Sequence, residues 1–411
     1  MRRFALFVAL AAAAGVAAAA AAPERHHAHA RIELRIAPEA GTLSAEAILS
    51  LPPAAAGEEI GFVLARSLAV ASAEAGPNAI VTVAPTERPW GGLQRISVRF
   101  RDAERAPRLR VRYAGRPATG GAPPINMITP DHVELSLDGM WVPIREDLGL
   151  PFTVDARIAG LPAGATLVGP GRLTRRGGVL RLRRSVPDVD VAFVASPALR
   201  RAAGNGPCRF YAADPDGEEA SLFRRHCAAA GAFLGNWFGP LPGSAPRLAL
   251  VRRERKSGYQ RIGYIVLAEG RGGSEAGAAK FTAHEFAHSW FRNANATTEH
   301  RWVDEATAEY VGLRYVRHAL GEAALETLLA PKRERARTAG PVVAGRTDAE
   351  LYDKGALLLF ELEDRIGRER MDRIVARIAA ARIGLTEDYV RVVAEVAGPA
   401  EARWFDQRLR S

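Results

Sequence analysis

Two histidines lie four residues apart in the stretch HEFAH, and a glutamate directly follows the first of them. Residues four apart lie on one face of an α-helix, so His284 and His288 can bind the same cation. A catalytic zinc usually takes three protein ligands and leaves its fourth position to water, which makes Glu305 in RWVDEATAEY the natural third ligand. Glu285 is then predicted to act as the base on that water. This set is typical of a metallopeptidase.

Two ordinary histidines on a helix are the alternative explanation for this pattern. A chance match to the pattern arises on the order of once per hundred sequences of this composition. Ala287 and Phe291 continue the face of His284 and His288, so the histidines are predicted to lie on a buried stripe. A buried neutral imidazole needs a partner, and a shared metal supplies one.

Glu305 begins a stripe at helical spacing that starts polar and becomes apolar. This predicts a helix that begins at the metal and ends in the core. Glu309 lies one turn after Glu305 and could accept a hydrogen bond from a ligating histidine. It could equally be a solvated glutamate, and the sequence leaves both readings open. Glu299 is the other carboxylate within reach of the metal, but it lacks the helical context of Glu305.

Three blocks in one order resemble the gluzincin zinc aminopeptidases, the family that includes aminopeptidase N. They are HEFAHSWFRN, RWVDEATAEYVGLRYV and LYDKGALLLFELEDRIG. The resemblance implies one Zn²⁺ per chain, held by His284, His288 and Glu305, and a peptide or protein substrate. It also implies that Tyr352 stabilises the transition state, although by spacing alone Tyr352 would more often be a core tyrosine. Sixteen residues separate His288 from Glu305 against eighteen in the family, so the intervening loop is predicted to be shorter.

The family also carries a Gly-x-Met-Glu-Asn strand whose glutamate binds the free α-amine of the substrate. The stretch SGYQRIGY resembles it, with Gln260 in the glutamate position and Gly263 at the later glycine, and both are predicted to bind substrate. An uncharged amide anchors an ammonium less well, because charge-assisted hydrogen bonds are roughly twice as strong as neutral ones. Amine anchoring is therefore predicted to be weak, unless another carboxylate such as Glu254 or Glu269 supplies it. Exo and endo cleavage both remain open.

The fold class follows from a change of hydrophobic period along the chain. From about residue 30 to 200 apolar residues alternate and turn residues punctuate the runs, which favours a β-sandwich, and the family's first domain is a similar saddle. Beyond about residue 205 the pattern is mainly helical, as in the thermolysin-like catalytic domain that the resemblance implies. We therefore predict an α+β protein with a β-rich domain at 23–203 and a catalytic domain at 204–411. Three helices are expected after Tyr352, the last one capped by Thr386 and closed by Gly398.

The first residues predict export. Met1, Arg2 and Arg3 precede an apolar segment and an alanine tract, which is a signal peptide pattern over residues 1–22. We expect a periplasmic or secreted protein with no stable membrane insertion after cleavage. In such a compartment Cys208 and Cys227 could form one disulfide, although two buried free thiols remain the alternative.

The formal net charge of +10 does not by itself indicate nucleic acid. Neither aromatic interleaving nor a recognised nucleic-acid module accompanies the arginines, so no nucleic-acid partner is expected. A preference for acidic substrates through long-range steering stays open. Two other functions also remain: a catalytically silent relative that acts as a binding module, and a zinc hydrolase of a non-peptide substrate. The intact set of base and ligands disfavours the silent relative.

Overall fold

The computed structural model describes residues 27–89, 91–203, 208–241 and 246–411. The predicted signal peptide at 1–22 lies outside these residues. Among the helices in the described part of the chain, none is both long and apolar enough to cross a membrane.

Strands occupy most of the described chain up to residue 196. They are β1 (Ala28–Ala37), β2 (Thr42–Ser50), β3 (Glu59–Ala65), β4 (Leu68–Glu74), β5 (Ala79–Thr86), β6 (Leu93–Phe100), β7 (Arg108–Gly115), β8 (Met127–Ile128), β9 (Val133–Leu135), β10 (Ile144–Arg145), β11 (Phe152–Ala159), β12 (Thr166–Val168), β13 (Arg172–Arg176), β14 (Val179–Asp188) and β15 (Phe193–Ser196). Short 3₁₀ helices cover Pro38–Ala40 and Leu137–Gly139.

These strands form three sheets around one hydrophobic core. The largest has the order β13-β14-β11-β1-β2-β7-β4, and the two smaller ones have the orders β10-β3-β6-β5 and β12-β15-β9-β8. In β1 the side chains of Ala30, Ile32 and Leu34 are buried and those between them are mostly exposed, because successive side chains point to opposite faces of a strand. The period-two pattern therefore predicted the character of this domain correctly.

A five-stranded sheet opens the second domain, with the order β16-β17-β18-β20-β19. Its strands are β16 (Arg200–Arg201), β17 (Arg209–Ala212), β18 (Arg247–Val251), β19 (Gly258–Arg261) and β20 (Tyr264–Ala268). Because β16 pairs with β17, this sheet begins a few residues before the boundary predicted between 203 and 204. Strand β19 lies at the edge of the sheet and, among the strands of the described residues, pairs with β20 alone.

Helices make up the rest of the second domain. They are α1 (Glu218–Phe238), α2 (Glu275–Ala287), α3 (Trp302–Leu320), α4 (Glu322–Ala336), α5 (Gly355–Ile366), α6 (Arg368–Ala380), α7 (Thr386–Ala397) and α8 (Pro399–Arg410). A 3₁₀ turn at Glu299–Arg301 leads into α3, and a π-helical turn at Ala349–Lys354 leads into α5. The α+β class is confirmed.

The count of helices after Tyr352 was wrong. Four follow rather than three, since α8 begins at Pro399 directly after Gly398 ends α7. A proline stops a preceding helix but is well tolerated in the first turn of the next one. The predicted cap was wrong by one residue, because Leu385 precedes α7 and Thr386 is its first residue. The Thr386 hydroxyl instead accepts a hydrogen bond from Trp302 Nε1 at 2.9 Å.

Small residues bring the elements of the second domain close together. A Cβ added to Gly312 of α3 would lie 2.9 Å from the Lys280 carbonyl and 3.2 Å from the His284 nitrogen of α2. A Cβ on Gly355 would lie 2.7 Å from Cβ of Ala306. Glycine at these two positions therefore lets α2, α3 and the start of α5 meet at close range.

A disulfide in the same domain joins Cys208 to Cys227. Of the two states that the sequence allowed for this pair, a disulfide or two buried free thiols, the structure has the disulfide.

Candidate metal centre

Three side chains from two helices converge on one point. His284 lies in the last turn of α2, His288 directly follows that helix, and Glu305 lies in the first turn of α3. The two histidine Nε2 atoms are 3.3 Å apart, and Glu305 Oε2 lies 3.8 Å from the first and 3.6 Å from the second. Ligands around a tetrahedral zinc with bonds of about 2.0–2.2 Å are themselves about 3.3–3.6 Å apart. The triangle therefore has nearly the size that zinc requires.

The protonation states of these groups suit a cation. Burial lowers the pKa of His288 to about 4, so its ring is neutral near pH 7. Its Nδ1 lies 2.9 Å from the Phe291 carbonyl, which can accept the ring proton and leave Nε2 free for a metal. Burial opposes ionisation of Glu305, but electrostatic interactions with the two histidines and with the guanidinium of Arg301 outweigh it and lower the pKa of that carboxyl.

Glu309 contacts Nδ1 of His284, one of the two histidines predicted to bind the metal. Its Oε2 lies 2.9 Å from His284 Nδ1, and the side chain is buried rather than solvated. The ammonium groups of Lys280 and Lys332 lie 2.9 Å and 2.6 Å from Glu309 Oε1. Burial opposes ionisation, yet these two lysines bring the pKa of Glu309 well below its ordinary value. The sequence left open whether Glu309 contacts a predicted histidine ligand or is solvated, and the structure favours the contact with His284.

Glu285 lies against the edge strand β19. A Cβ added to Gly258 would lie 2.9 Å from Glu285 Oε1, so a larger residue there would displace the carboxylate. Burial raises the pKa of Glu285 to about 7, and the positive charge of a bound cation would lower it again. Beside a bound cation the carboxyl is therefore ionised and can accept a proton, and its burial favours the protonated form once the proton is held. Gly258 is a residue that sequence reasoning missed, since its role depends on a strand and a helix that are distant in the chain.

Tyr352 lies in the π-helical turn, with its ring centre 5.7 Å from that of His284. Such turns are rare and occur frequently at functional sites. Burial raises the pKa of Tyr352 well above 10, so the phenol keeps its proton and can donate it in a hydrogen bond. Arg301 lies beside it, with Nε 3.6 Å from Glu305 Oε1. The spacing rules did not single out Arg301, although it stands one helical turn before Glu305.

A cleft of ≈ 2460 Å³ between the two domains opens onto these groups. Gln260 lines it, two residues after Gly258 and therefore on the same face of β19, the face toward Glu285. Gly263 does not line the cleft. It has a φ of +71° in the two-residue turn between β19 and β20, so the structure gives it a turn role instead of the expected substrate contact.

The alternative carboxylates lie elsewhere. Glu299 is largely exposed and does not belong to the cluster of His284, His288 and Glu305, which is the group in the described residues that could hold a metal. Glu254 and Glu269 do not line the cleft, and Glu269 pairs with Arg252 at 2.8 Å.

Asp304 is a further residue that sequence reasoning missed. Its carboxylate accepts hydrogen bonds from the backbone nitrogens of Asn293 at 3.1 Å and Ala294 at 2.9 Å, which fixes the segment after α2. Burial raises the pKa of Asp304 to about 7. In the sequence, the one local indication that Asp304 contributes to the site is that it directly precedes Glu305.

Buried ion pairs join the site to the first domain. Asp188 pairs with Arg292 just beyond α2, and Asp190 pairs with Arg261 of β19, each at 2.6 Å. The Asp188 carboxylate also accepts a hydrogen bond from the Ile262 backbone nitrogen, at 3.2 Å. The first domain therefore helps to fix both β19 and the segment that follows the two histidines.

No protein-family model and no curated protein matches this chain. Solved structures do match it. An M1 zinc metallopeptidase from Deinococcus radiodurans is 21% identical, with a TM-score of 0.71 and 94% of both chains covered. A variant of that enzyme with the substrate Tyr-Ser-Ala bound is 20% identical, with the same TM-score and coverage. Yeast LTA4 hydrolase is 15% identical, with a TM-score of 0.71, and covers 92% of this chain and 66% of its own.

At these identities the likeness establishes the fold. The chain has the two-domain fold of the M1 zinc metallopeptidases, with a sheet-rich first domain and a mainly helical second domain. This confirms the two-domain architecture that the change of hydrophobic period and the family resemblance predicted.

Proposed function

We propose that the protein is an exported zinc-dependent peptidase. The observation that carries the proposal is the triangle of His284 Nε2, His288 Nε2 and Glu305 Oε2, with edges of 3.3, 3.6 and 3.8 Å, beside the buried carboxyl of Glu285. Two imidazoles and a carboxylate are a donor set that suits zinc, and three protein ligands leave one position open. One such cluster in the described residues supports one ion per chain.

The residues around the triangle have separate roles. When bound, zinc would polarise a carbonyl group and lower the pKa of a water to about 7. Glu285 accepts a proton as that water attacks the scissile carbonyl carbon, and passes it to the nitrogen as the C–N bond breaks. Tyr352 donates a hydrogen bond to the developing oxyanion, a contribution of about 3 kcal/mol.

Peptides fit the cleft better than small metabolites. Its ≈ 2460 Å³ exceeds the volume of about 300–1,000 Å³ that is usual for small-molecule sites. The free edge of β19 offers backbone groups that can pair with an extended chain, and Gly258 brings that edge close to Glu285. The Deinococcus enzyme of the same fold binds the peptide Tyr-Ser-Ala, which supports this substrate class.

Export is proposed on two grounds. The charged, apolar and alanine-rich order of residues 1–22 is typical of a signal peptide. The disulfide between Cys208 and Cys227 suits an oxidising compartment.

A non-peptide substrate is the second candidate function. Yeast LTA4 hydrolase has the same fold, and a fold alone does not fix the substrate. A silent binding module is disfavoured, because the position of Gly258 preserves the space that Glu285 occupies.

Digestion of a peptide library tests the proposal. Purified protein loaded with zinc should cleave peptides, whereas Glu285→Gln should bind zinc normally and lose activity by about a hundredfold or more, because an amide cannot accept the proton. Glu326→Gln, at an exposed carboxylate paired with Arg333, is the matched control and should retain full activity. Absence of peptide cleavage by the wild type, or equal rates in Glu285→Gln, would contradict the proposal.

A further inference from the structure

A buried lysine supports the turn that carries Tyr352. Lys332 belongs to α4 and is 6% exposed. Its ammonium donates hydrogen bonds to the Tyr352 carbonyl at 3.1 Å and to the Asp353 carboxylate at 3.0 Å. It also forms an ion pair with Glu309 at 2.6 Å. An ammonium has three donors, and two of them are used by the Tyr352 carbonyl and the Asp353 carboxylate, while Glu309 is a charge partner.

These three partners of Lys332 belong to two elements that meet at the candidate metal site. Tyr352 and Asp353 lie in the π-helical turn, and Glu309 lies in α3 one turn after the ligand Glu305. Glu309 in turn contacts His284 at 2.9 Å. Lys332 therefore joins the backbone of Tyr352 to the carboxylate that orients a histidine ligand.

Neutralising the charges of Glu309 and Asp353 does not by itself explain the buried position of Lys332. Glu309 also has Lys280 at 2.9 Å, and Asp353 also has Arg335 at 2.7 and 2.8 Å. Both carboxylates therefore keep a cationic partner when Lys332 is replaced. The contribution that Lys332 alone makes is the bond to the Tyr352 carbonyl and the bridge from that turn to α3.

We propose that Lys332 is a positioning residue for Tyr352, because it holds the π-helical turn against α3 and so keeps the phenol beside His284. Lys332 contacts none of the reacting atoms and acts through the tyrosine. The inference rests on the proposed function, in which Tyr352 stabilises the oxyanion.

A double-mutant cycle tests this role. The kcat and KM of zinc-loaded wild type are compared with those of Lys332→Met, Tyr352→Phe and the double variant. Lys332→Met should lower kcat about tenfold while KM changes less than about threefold, since the lost interaction is made in the transition state. Tyr352→Phe should lower kcat about a hundredfold. The double variant should be within about twofold of Tyr352→Phe, because no phenol is left to position.

Two readouts do not depend on turnover. Zinc affinity of Lys332→Met should stay within about tenfold of wild type, since Lys332 contacts none of the three proposed ligands directly and Glu309, which contacts His284, keeps Lys280 as a cationic partner. The affinity for a phosphonate peptide, a tetrahedral analogue of the transition state, should fall in Lys332→Met and in Tyr352→Phe without further loss in the double variant.

Lys354→Met is the matched control on the same turn. The ammonium of Lys354 donates to the carbonyls of Ala339, Gly340 and Ser411 and not to Tyr352. Its replacement should leave kcat within about twofold of wild type, because no residue of the site loses a partner. Where Lys332→Met does not fold, Lys332→Arg keeps the charge but alters the geometry, and the same cycle is run with it.

Three results would overturn the proposal. They are a double variant whose losses multiply, a loss of activity in Lys332→Met that simply tracks loss of zinc, and an equal loss in Lys354→Met. A wild type that cleaves no peptide would contradict the proposed function instead. Phosphonate binding would still decide the role of Lys332 in that case.

Discussion

Glu305 is the proposed third ligand, and its position and its charge support each other. It lies in the first turn of α3, where the helix dipole favours a negative charge. Its carboxylate faces both histidine Nε2 atoms at less than 4 Å. Glu299 lies six residues earlier in a 3₁₀ turn and is largely exposed. The structure therefore separates two carboxylates that the sequence left as competing ligands.

Zinc affinity of two alanine variants checks this separation. Glu305→Ala should weaken zinc binding by more than about a hundredfold, because partners outside the ligand shell alone contribute about 10- to 100-fold. Glu299→Ala should leave the affinity nearly unchanged. Competition with a chelator of known affinity measures both dissociation constants. A normal affinity in Glu305→Ala together with a large loss in Glu299→Ala would reverse the assignment.

At the residue scale, the sequence predicted what lies within one or two helical turns. His284, His288 and Glu305 could be read from spacing, because helical periodicity alone places them on defined faces. Lys280 and Lys332 could not be read in this way. They lie on α2 and α4 and reach Glu309 on α3, so their pairing depends on how three helices pack.

At the element scale, the approach of α2 to α3 depends on a glycine. A methyl group at Gly312 would lie 2.9 Å from the Lys280 carbonyl, closer than real Cβ atoms come to backbone oxygens. The nearest atoms are backbone, so a helix rather than a side chain would have to move. Such a movement would shift Glu305 relative to His284, because the two lie on these helices.

Gly312→Ala should therefore lower both stability and zinc affinity. We expect a loss of about 1–3 kcal/mol in the free energy of unfolding, which is typical of overpacking in a core. Gly235→Ala is the control, since Gly235 lies within α1 and a Cβ there meets nothing within 4 Å. That variant should gain up to about 1 kcal/mol from helix propensity. Denaturant unfolding and zinc titration measure these effects, and an unchanged Gly312→Ala would contradict the account.

Element types were easier to predict than their ends. The change from period two to a helical pattern gave the order of the two domains, because each period reflects the geometry of its element. The sequence predicted that Gly398 and Pro399 mark the end of the last helix, but Pro399 is also the first residue of α8. Glycine and proline mark a boundary, but they do not say whether another helix follows.

At the scale of the whole molecule, the first domain forms one wall of the cleft and fixes its edge strand. The Asp188 and Asp190 carboxylates hold Arg292 and Arg261 across the domain junction. A buried ion pair between Glu134 and Arg253 lies at the same junction. Partners that come from both domains could not be predicted from local spacing. They place β19, and with it Gln260, against the metal site.

The wall near Gln260 offers little to anchor a free amine. Asp188 is already paired with Arg292, and Glu254 and Glu269 do not line the cleft. Among the described residues of the first domain that line the cleft, the exposed Asp138 is the remaining carboxylate. A substrate could therefore extend past Gln260 without losing a charged partner.

We therefore expect N-acetylated peptides to be cleaved at rates comparable to those of free-amine peptides. Gln260→Glu should shift the ratio of kcat/KM values toward free amines by about 1–2 kcal/mol, because a carboxylate adds a charge-assisted bond to an ammonium. Asp138→Asn is the control, and it should leave the wild-type ratio unchanged. Release of single amino-terminal residues with no cleavage of blocked peptides would contradict this expectation. Loss of that selectivity in Asp138→Asn would then identify Asp138 as the anchor in place of Gln260.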